Sequence, residues 1–374
     1  MGKVRLEKFI SEYSQKNKNR NSYPVYSVTN SNGFCTEYFT KDVSSEDKSG
    51  YKLVPFGYFA YNPSRINVGS IDCQMKEKNV IVSPLYTVFK VENGLNIEYL
   101  RYFFKSNYCK HLIQSKVSGS VRFNLKFDTL KSFEINEISN SEQQKAVGLF
   151  SSIENLIKIE EKELSFLNEL IKSRFNELFG DSKSLVKIGD VLSTTSGGTP
   201  SKGKSEYYLN GDIPWLCSGE VNAGIITEVK NRITELGLKN SSAKWIPKNS
   251  VVVAMYGATA GKVGLLKIKT TTNQAVCSIL PSPRFIPEFL YYAVGSKAEE
   301  LVSKAWGGAQ PNISQGIIKN TFIPNPTIDE QKEFASFVTL VDKLKFSLLM
   351  PPKIAIVSII FRLIVKAFAC FSDF

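Results

Sequence analysis

A stretch from the first half of this chain is written again, in degraded form, in the second half. Ile97-Glu98-Tyr99-Leu100-Arg101-Tyr102 returns as Pro287-Glu288-Phe289-Leu290-Tyr291-Tyr292. Arg122-Phe123-Asn124-Leu125 lines up with Gln310-Pro311-Asn312-Ile313, and Leu130-Lys131 with Ile318-Lys319. Ser141-Glu142-Gln143-Gln144-Lys145 is matched to Ile328-Asp329-Glu330-Gln331-Lys332, after which both copies run into helix-like stretches. The separation is far longer than a solenoid unit of roughly 20–50 residues and has the length of a whole domain. The 374 residues therefore read as two similar domains, each followed by a helix. Such a chain should engage a target that itself has two parts.

Both halves are basic, within a net charge of +12. Residues 1–180 hold 25 Lys/Arg against 20 Asp/Glu, and 181–374 hold 22 against 15. An excess shared by two repeats favours a polyanionic partner, such as nucleic acid or an anionic membrane surface. The six cysteines (Cys35, Cys73, Cys109, Cys217, Cys277, Cys370) form no C-x-x-C pair. That pattern argues against a zinc knuckle or a disulfide framework and fits small core residues in a reducing cytoplasm. Met1 to Glu7 lacks the apolar segment of a secretory signal.

Along the chain, short β-branched and aromatic runs such as Gly57-Tyr58-Phe59-Ala60-Tyr61 and Asn79-Val80-Ile81-Val82-Ser83 predict strands. Over 151–179, Ile153, Ile157, Leu164, Leu167, Ile171 and Leu178 fall on 3-4 spacing, and Gly180 stands where a helix would end. The spacing predicts a helix roughly 43 Å long, too long for an ordinary surface helix, that packs along a partner helix or else folds onto its own domain. The expected organisation is a domain over 1–145, a long spacer helix over 146–180, a second domain over 181–328 and the start of a second helix over 329–349. From Met350-Pro351-Pro352 the pattern breaks, and the tail 350–374 is nearly all apolar. It is too short and too interrupted by Arg362 and Lys366 for a membrane span, and reads as sequence out of register with a helix that should continue.

The densest motifs lie in the second domain: Ser196-Gly197-Gly198-Thr199-Pro200, Gly211-Asp212-Ile213-Pro214-Trp215, Tyr256-Gly257-Ala258-Thr259-Ala260-Gly261-Lys262, Thr272-Asn273-Gln274 and Gln310-Pro311-Asn312. Gly257 to Lys262 misses the spacing of a nucleotide-binding P-loop, and Val263 stands where that loop needs a hydroxyl. It reads as a glycine-rich turn, either a plain hairpin or one that lets the backbone and Lys262 approach a phosphate. His111 is the single histidine, so a His-dependent triad or metal site has little to build from. The amino-methylation signature N-P-P-[YF] or D-P-P-[YF] is absent. The chain reads as a binding protein and not as an enzyme.

In their order, spacing and duplication these motifs resemble the specificity subunits of Type I restriction–modification systems, together with Leu170-Ile171-Lys172-Ser173-Arg174-Phe175 at the end of the long helix. The resemblance covers most of 1–349. It implies an α+β fold: two similar β-rich target-recognition domains separated by long antiparallel helices, each domain reading one half of a bipartite double-stranded DNA target. It also implies partner modification (methyltransferase) subunits, two of them, and restriction (endonuclease/translocase) subunits. Their S-adenosylmethionine and ATP belong to those partners, so no cofactor is expected on this chain. A silent or truncated specificity protein, binding DNA without productive assembly, is the alternative. Asn and Gln bond adenine, Arg and Lys bond guanine or phosphate, and hydroxyls hold phosphates. The candidate DNA contacts are therefore Tyr61, Arg65, Asn67 and Arg122 in the first domain, and Lys202, Lys204, Tyr256, Thr259, Lys262, Asn273 and Gln274 in the second. Trp215 is expected to anchor the core.

Overall fold

The computed structural model describes residues 2–30, 32–36, 47–117, 124–305 and 312–349. Arg122 and the tail 350–374 lie outside these described residues. The chain divides into two compact units, with the boundary between Ile159 and Glu160.

Unit one is built on a four-stranded antiparallel sheet whose strands lie in the order Ile10–Glu12, Thr87–Val91, Phe59–Tyr61, Ile71–Cys73. Strand alternation decides which way each residue faces. Phe59 and Tyr61 point into the main core, while Ala60 between them joins a second apolar cluster with Val54, Val80 and Val88. Phe59 stacks on Phe89 at 5.2 Å and meets Phe104 edge-on at 5.7 Å. Phe104 comes from helix Ile97–Lys105, which starts because the Asn96 side chain accepts the Tyr99 N–H. That helix buries Tyr99, Leu100, Phe103 and Phe104 against the sheet. The strand Lys3–Arg5 then closes the unit by pairing with Glu134–Asn136.

Unit two repeats this plan. Its sheet runs Thr194–Ser196, Val276–Ile279, Val251–Ala254, Val263–Leu266, again antiparallel, with Ile225–Ile226 added in parallel at the edge. Val251 and Val253 face one core cluster, and Val252 and Ala254 face another. Helix Pro287–Gly295 packs where Ile97–Lys105 packs in unit one, and Leu185–Lys187 pairs with Phe322–Pro324 as the closing strand. The duplicated α+β architecture is thus present in the backbone as well as in the sequence.

A helix of 40 residues, Asn140–Phe179, spans the boundary between the units. It begins earlier than its apolar periodicity suggests. The reason is a capping box: Ser139 Oγ accepts the Glu142 N–H, and the Glu142 carboxylate accepts the Ser139 N–H at 2.8 Å. In unit two, Thr327 and Glu330 make the same box at the head of helix Ile328–Leu349. This geometry moves the repeat register by one residue. Glu142 corresponds to Glu330 and Gln143 to Gln331, whereas the sequence match follows the shared Gln-Lys pair at 144–145 and 331–332.

In unit one the first turns of the long helix receive Tyr102, whose ring lies 4.8 Å from that of Phe150 and whose hydroxyl donates to Glu154. Within unit two its last turns carry Ile171, Phe175 and Phe179 into the core beside Phe289 and Phe334. Helix Ile328–Leu349 runs antiparallel to these turns. Arg174 meets Glu333 at 3.8 Å, while Asn168 and Lys172 share a groove with Val338, Asp342 and Phe346.

Candidate nucleic-acid interface

In unit one the chain leaves strand Phe59–Tyr61, loops through 62–70 and returns as Ile71–Cys73. The loop is closed by Asn62 N–H donating to Ser70 O at 3.1 Å and Arg65 N–H donating to Asn62 O at 2.9 Å. One 3₁₀ turn, Ile66–Val68, ends at Gly69 with φ of 86°. A β-carbon at Gly69 would lie 2.3 Å from Asn30 Oδ1, so both the turn and its neighbour require glycine. Ile66 is buried and plugs the loop onto the core, which leaves Arg65 exposed and Asn67 half-buried. Beside it lies a groove of about 650 Å³, lined by Asn30, Asn62, Ser64, Arg65, Ser70 and Leu85 among others. Amides, hydroxyls and a guanidinium are the groups that bond base edges and phosphates.

Unit two builds the same loop between Val251–Ala254 and Val263–Leu266. It too has one 3₁₀ turn, Gly257–Thr259, and returns through a left-handed glycine, Gly261, with φ of 82°. Aligned on these glycines, Asn67 stands opposite Thr259, Ser70 opposite Lys262 and Tyr61 opposite Val253. In each unit a second segment is bonded across the loop: Leu125 N–H donates to Pro63 O, and Ile313 N–H to Met255 O. Lys262 leads directly into the buried strand Val263–Leu266 and not into a helix, so no helix N-terminus is present there to cradle a nucleotide.

Other loops of unit two meet this one. The Thr259 hydroxyl donates to Ser218 O at 3.1 Å, and Asn273 N–H donates to Leu216 O at 3.0 Å. The Thr199 hydroxyl donates to Gln274 Oε1. Tyr256 bridges to Asn312 and is 37% exposed. Glu220 fixes the 3₁₀ segment Ser218–Ala223 by accepting Cys217 N–H, Lys230 N–H and Asn231 Nδ2–H. Burial pushes the Cys217 thiol up to about 11, and nearby Lys202 only partly opposes this, so the thiol stays protonated at neutral pH. Trp215 donates Nε1–H to Gly198 O and is buried, a core anchor under the glycine-rich segment.

The chain matches the Type I restriction modification DNA specificity domain twice, over residues 3–169 and 181–351. It belongs to that family. The specificity subunit of the Escherichia coli Type I restriction enzyme EcoR124I/EcoR124II is 29% identical over 166 residues, covering 43% of this chain and 41% of that protein. The MjaIX specificity subunit of Methanocaldococcus jannaschii is 31% identical over 163 residues, covering 42% and 37%. The matched stretch thus spans less than half the length of either relative. Among solved structures, a chain from work on complex assembly and conformational transition of the type I R-M system superposes with a TM-score of 0.59 at 15% identity. That match covers 98% of this chain and 95% of the other, and shares the fold.

Within this specificity-domain pair the predicted contacts fare unequally. Tyr61 is fully buried, and its hydroxyl donates to Leu125 O at 3.0 Å. It is a core residue with no polar atom left for DNA, because strand alternation turns it inward just as it turns Val253. Arg65 and Asn67 sit on the loop of unit one, and Arg122 lies outside the described residues. In unit two, Tyr256, Thr259, Lys262, Asn273 and Gln274 come together on the bonded loops, with Lys202 exposed beside Cys217. Lys204 is set apart: its Nζ donates to Tyr207 Oη at 3.1 Å and lies over that ring, which holds the ammonium above its ordinary pKa. Sequence reasoning missed Asn30, which reaches the groove from the hairpin Ser27–Thr29/Gly33–Cys35. No pattern in the sequence marks it, since Gly69, the glycine whose side-chain space it fills, is distant in the chain. Among the described residues, no group of three His, Cys, Asp or Glu could hold a metal, and no helix is long and apolar enough to cross a membrane.

Proposed function

We propose that the chain is the DNA-reading specificity subunit of a Type I restriction–modification complex, each unit recognising one half of a bipartite duplex target. One observation carries this reading: the same loop platform, with amide, hydroxyl and cationic side chains, is raised once in each unit on a sheet of the same plan. Arg65, Asn67 and the groove beside them read one half-site; Lys202, Tyr256, Thr259, Lys262, Asn273 and Gln274 read the other. The positive excess of both halves supplies affinity for phosphates. The chemistry belongs to partners, modification subunits with S-adenosylmethionine and restriction subunits with ATP. Exposed Leu156, Ile157, Ile159, Phe166 and Leu170 on the long helix, with Leu340, Leu344 and Phe346 on the last one, support subunit docking there. Expression with and without the modification subunits, followed by mapping of methyladenine in the host DNA, tests this. The expected result is a new methylated motif of two blocks with a fixed gap, present only when chain and partners coexist. A single uninterrupted motif, or none with active partners, overturns it.

A further inference from the structure

Each unit holds one buried glutamine at the joint between its reading domain and the helix that leaves it. Gln143 is 6% exposed and Gln331 is 1% exposed. Gln143 Oε1 accepts the Asn96 N–H at 2.7 Å, and its Nε2–H donates to Ile138 O at 3.2 Å. Gln331 Oε1 accepts the Ile286 N–H at 2.8 Å, and its Nε2–H donates to Arg284 O at 3.1 Å and Pro326 O at 3.2 Å. Asn96 and Ile286 are the residues from which the domain helices Ile97–Lys105 and Pro287–Gly295 start. Ile138 and Pro326 belong to the segments that lead into the spacer helices.

A single amide therefore ties three things in each unit: the spacer helix it grows from, the chain entering that helix, and the start of the helix packed under the reading sheet. Apolar contacts at such a joint would tolerate sliding, whereas hydrogen bonds weaken steeply with angle. A buried amide left unsatisfied is also costly, so slippage at this joint is penalised. The surrounding residues differ between the copies (Asn96 and Ile286, Ile138 and Pro326), yet the bond to the start of the domain helix and the bond to the chain entering the spacer helix recur in both. Packing of one particular neighbour therefore does not explain it.

We infer that Gln143 and Gln331 are positioning residues that set the angle between each reading domain and its spacer helix, and so fix the gap between the two half-sites. The inference rests on the two-headed reading above. One base pair of gap is about 3.4 Å along the duplex and about a tenth of a turn, so a small change at either joint alters which gap is preferred.

The test is selection of duplexes from a random-sequence pool by the full chain, comparing the wild-type protein with Q143M, Q331M and the acceptor-retaining variants Q143E and Q331E. The wild-type pool is expected to show two sequence blocks at one gap. Q143M and Q331M should keep both blocks but shift the gap by a base pair or spread it over several, while the Glu variants, which keep the acceptor for the domain helix but lose the donor to the carbonyls, shift or spread it less. Methionine variants with the wild-type gap overturn the inference. So does failure of both variants at one position to fold, which would make that glutamine a core residue only. A wild-type pool without two spaced blocks instead removes the two-headed reading, and the inference falls with it.

Discussion

Arg101 donates Nε–H to Asp72 at 2.9 Å, and the other carboxylate oxygen of Asp72 fills the place where a side chain on Gly33 would begin. Glu98 takes a second guanidinium N–H at 3.3 Å. Burial alone would lower the guanidinium pKa, but the two carboxylates outweigh it and hold it above its ordinary value. The pair thus seats the hairpin Ser27–Thr29/Gly33–Cys35 on the edge of the sheet, beside the groove of unit one. Arg101→Met is expected to cost about 3 kcal/mol, because it leaves Asp72 largely buried and unpaired. The double change R101M/D72L should recover most of that loss. Urea unfolding measures both, and a double variant no more stable than R101M would show that the pair is not the source of the effect.

The two capping boxes make a pH prediction. Hydrogen bonds from Ser139 hold the Glu142 carboxyl below its ordinary pKa, and those from Thr327 do the same for Glu330. A carboxyl depressed in the folded state contributes stability above its unfolded pKa, and that contribution is lost as pH falls through the folded value. Acid unfolding should therefore draw on both boxes at pH below about 4.5. S139A and T327A should each lower stability at pH 7 by about 1 kcal/mol. They should also flatten the fall in stability between neutral and acid pH, as read by denaturant midpoints across that range. An unchanged pH slope in the double variant would falsify the assignment.

Much of this was legible in the residues, and the failures have physical causes. The duplication showed because apolar positions such as Leu100 and Leu290 must fill equivalent core sites, and both are buried. The helix start at Asn140 did not show, since capping depends on Ser139 and Glu142 three residues apart while periodicity begins further on. Tyr61 reads as a contact in sequence because aromatic loops and aromatic strand ends look alike there. Only the register of its strand, which sets Tyr61 opposite Thr87 on the neighbouring one, reveals which way the residue faces. The meeting of Thr199 with Gln274 joins segments far apart in the chain, and no local pattern announces it.

Phe289 joins the helices of unit two to its sheet. Its ring lies 5.8 Å from Phe175, 5.1 Å from Phe179 and 6.4 Å from Phe334, and it is fully buried. Phe289→Ala is expected to cost about 3–5 kcal/mol through lost transfer energy and a cavity that its aromatic neighbours, Phe285 among them, cannot close. Thermal unfolding followed by circular dichroism should show the transition of unit two moving to lower temperature. A loss under about 1 kcal/mol would mean that the site collapses freely.

Tyr61 and Lys262 separate a core role from a reading role. The Tyr61 hydroxyl is enclosed, pushed by burial to about 12, and donates to Leu125 O. Tyr61→Phe removes that bond and should cost about 1 kcal/mol of stability while leaving DNA affinity and its salt dependence unchanged. Lys262 is exposed on the loop of unit two, so Lys262→Ala should do the reverse: little effect on unfolding, weaker duplex binding, and a slope of log affinity against log salt smaller by about 0.9 if one phosphate is lost. Filter binding of duplexes selected by the wild-type chain, at several salt concentrations, supplies both numbers. Reduced affinity with full stability in Y61F would return Tyr61 to the interface. An unaltered salt slope in K262A would remove Lys262 from it, and with it the reading of the Gly257–Lys262 turn as a phosphate contact.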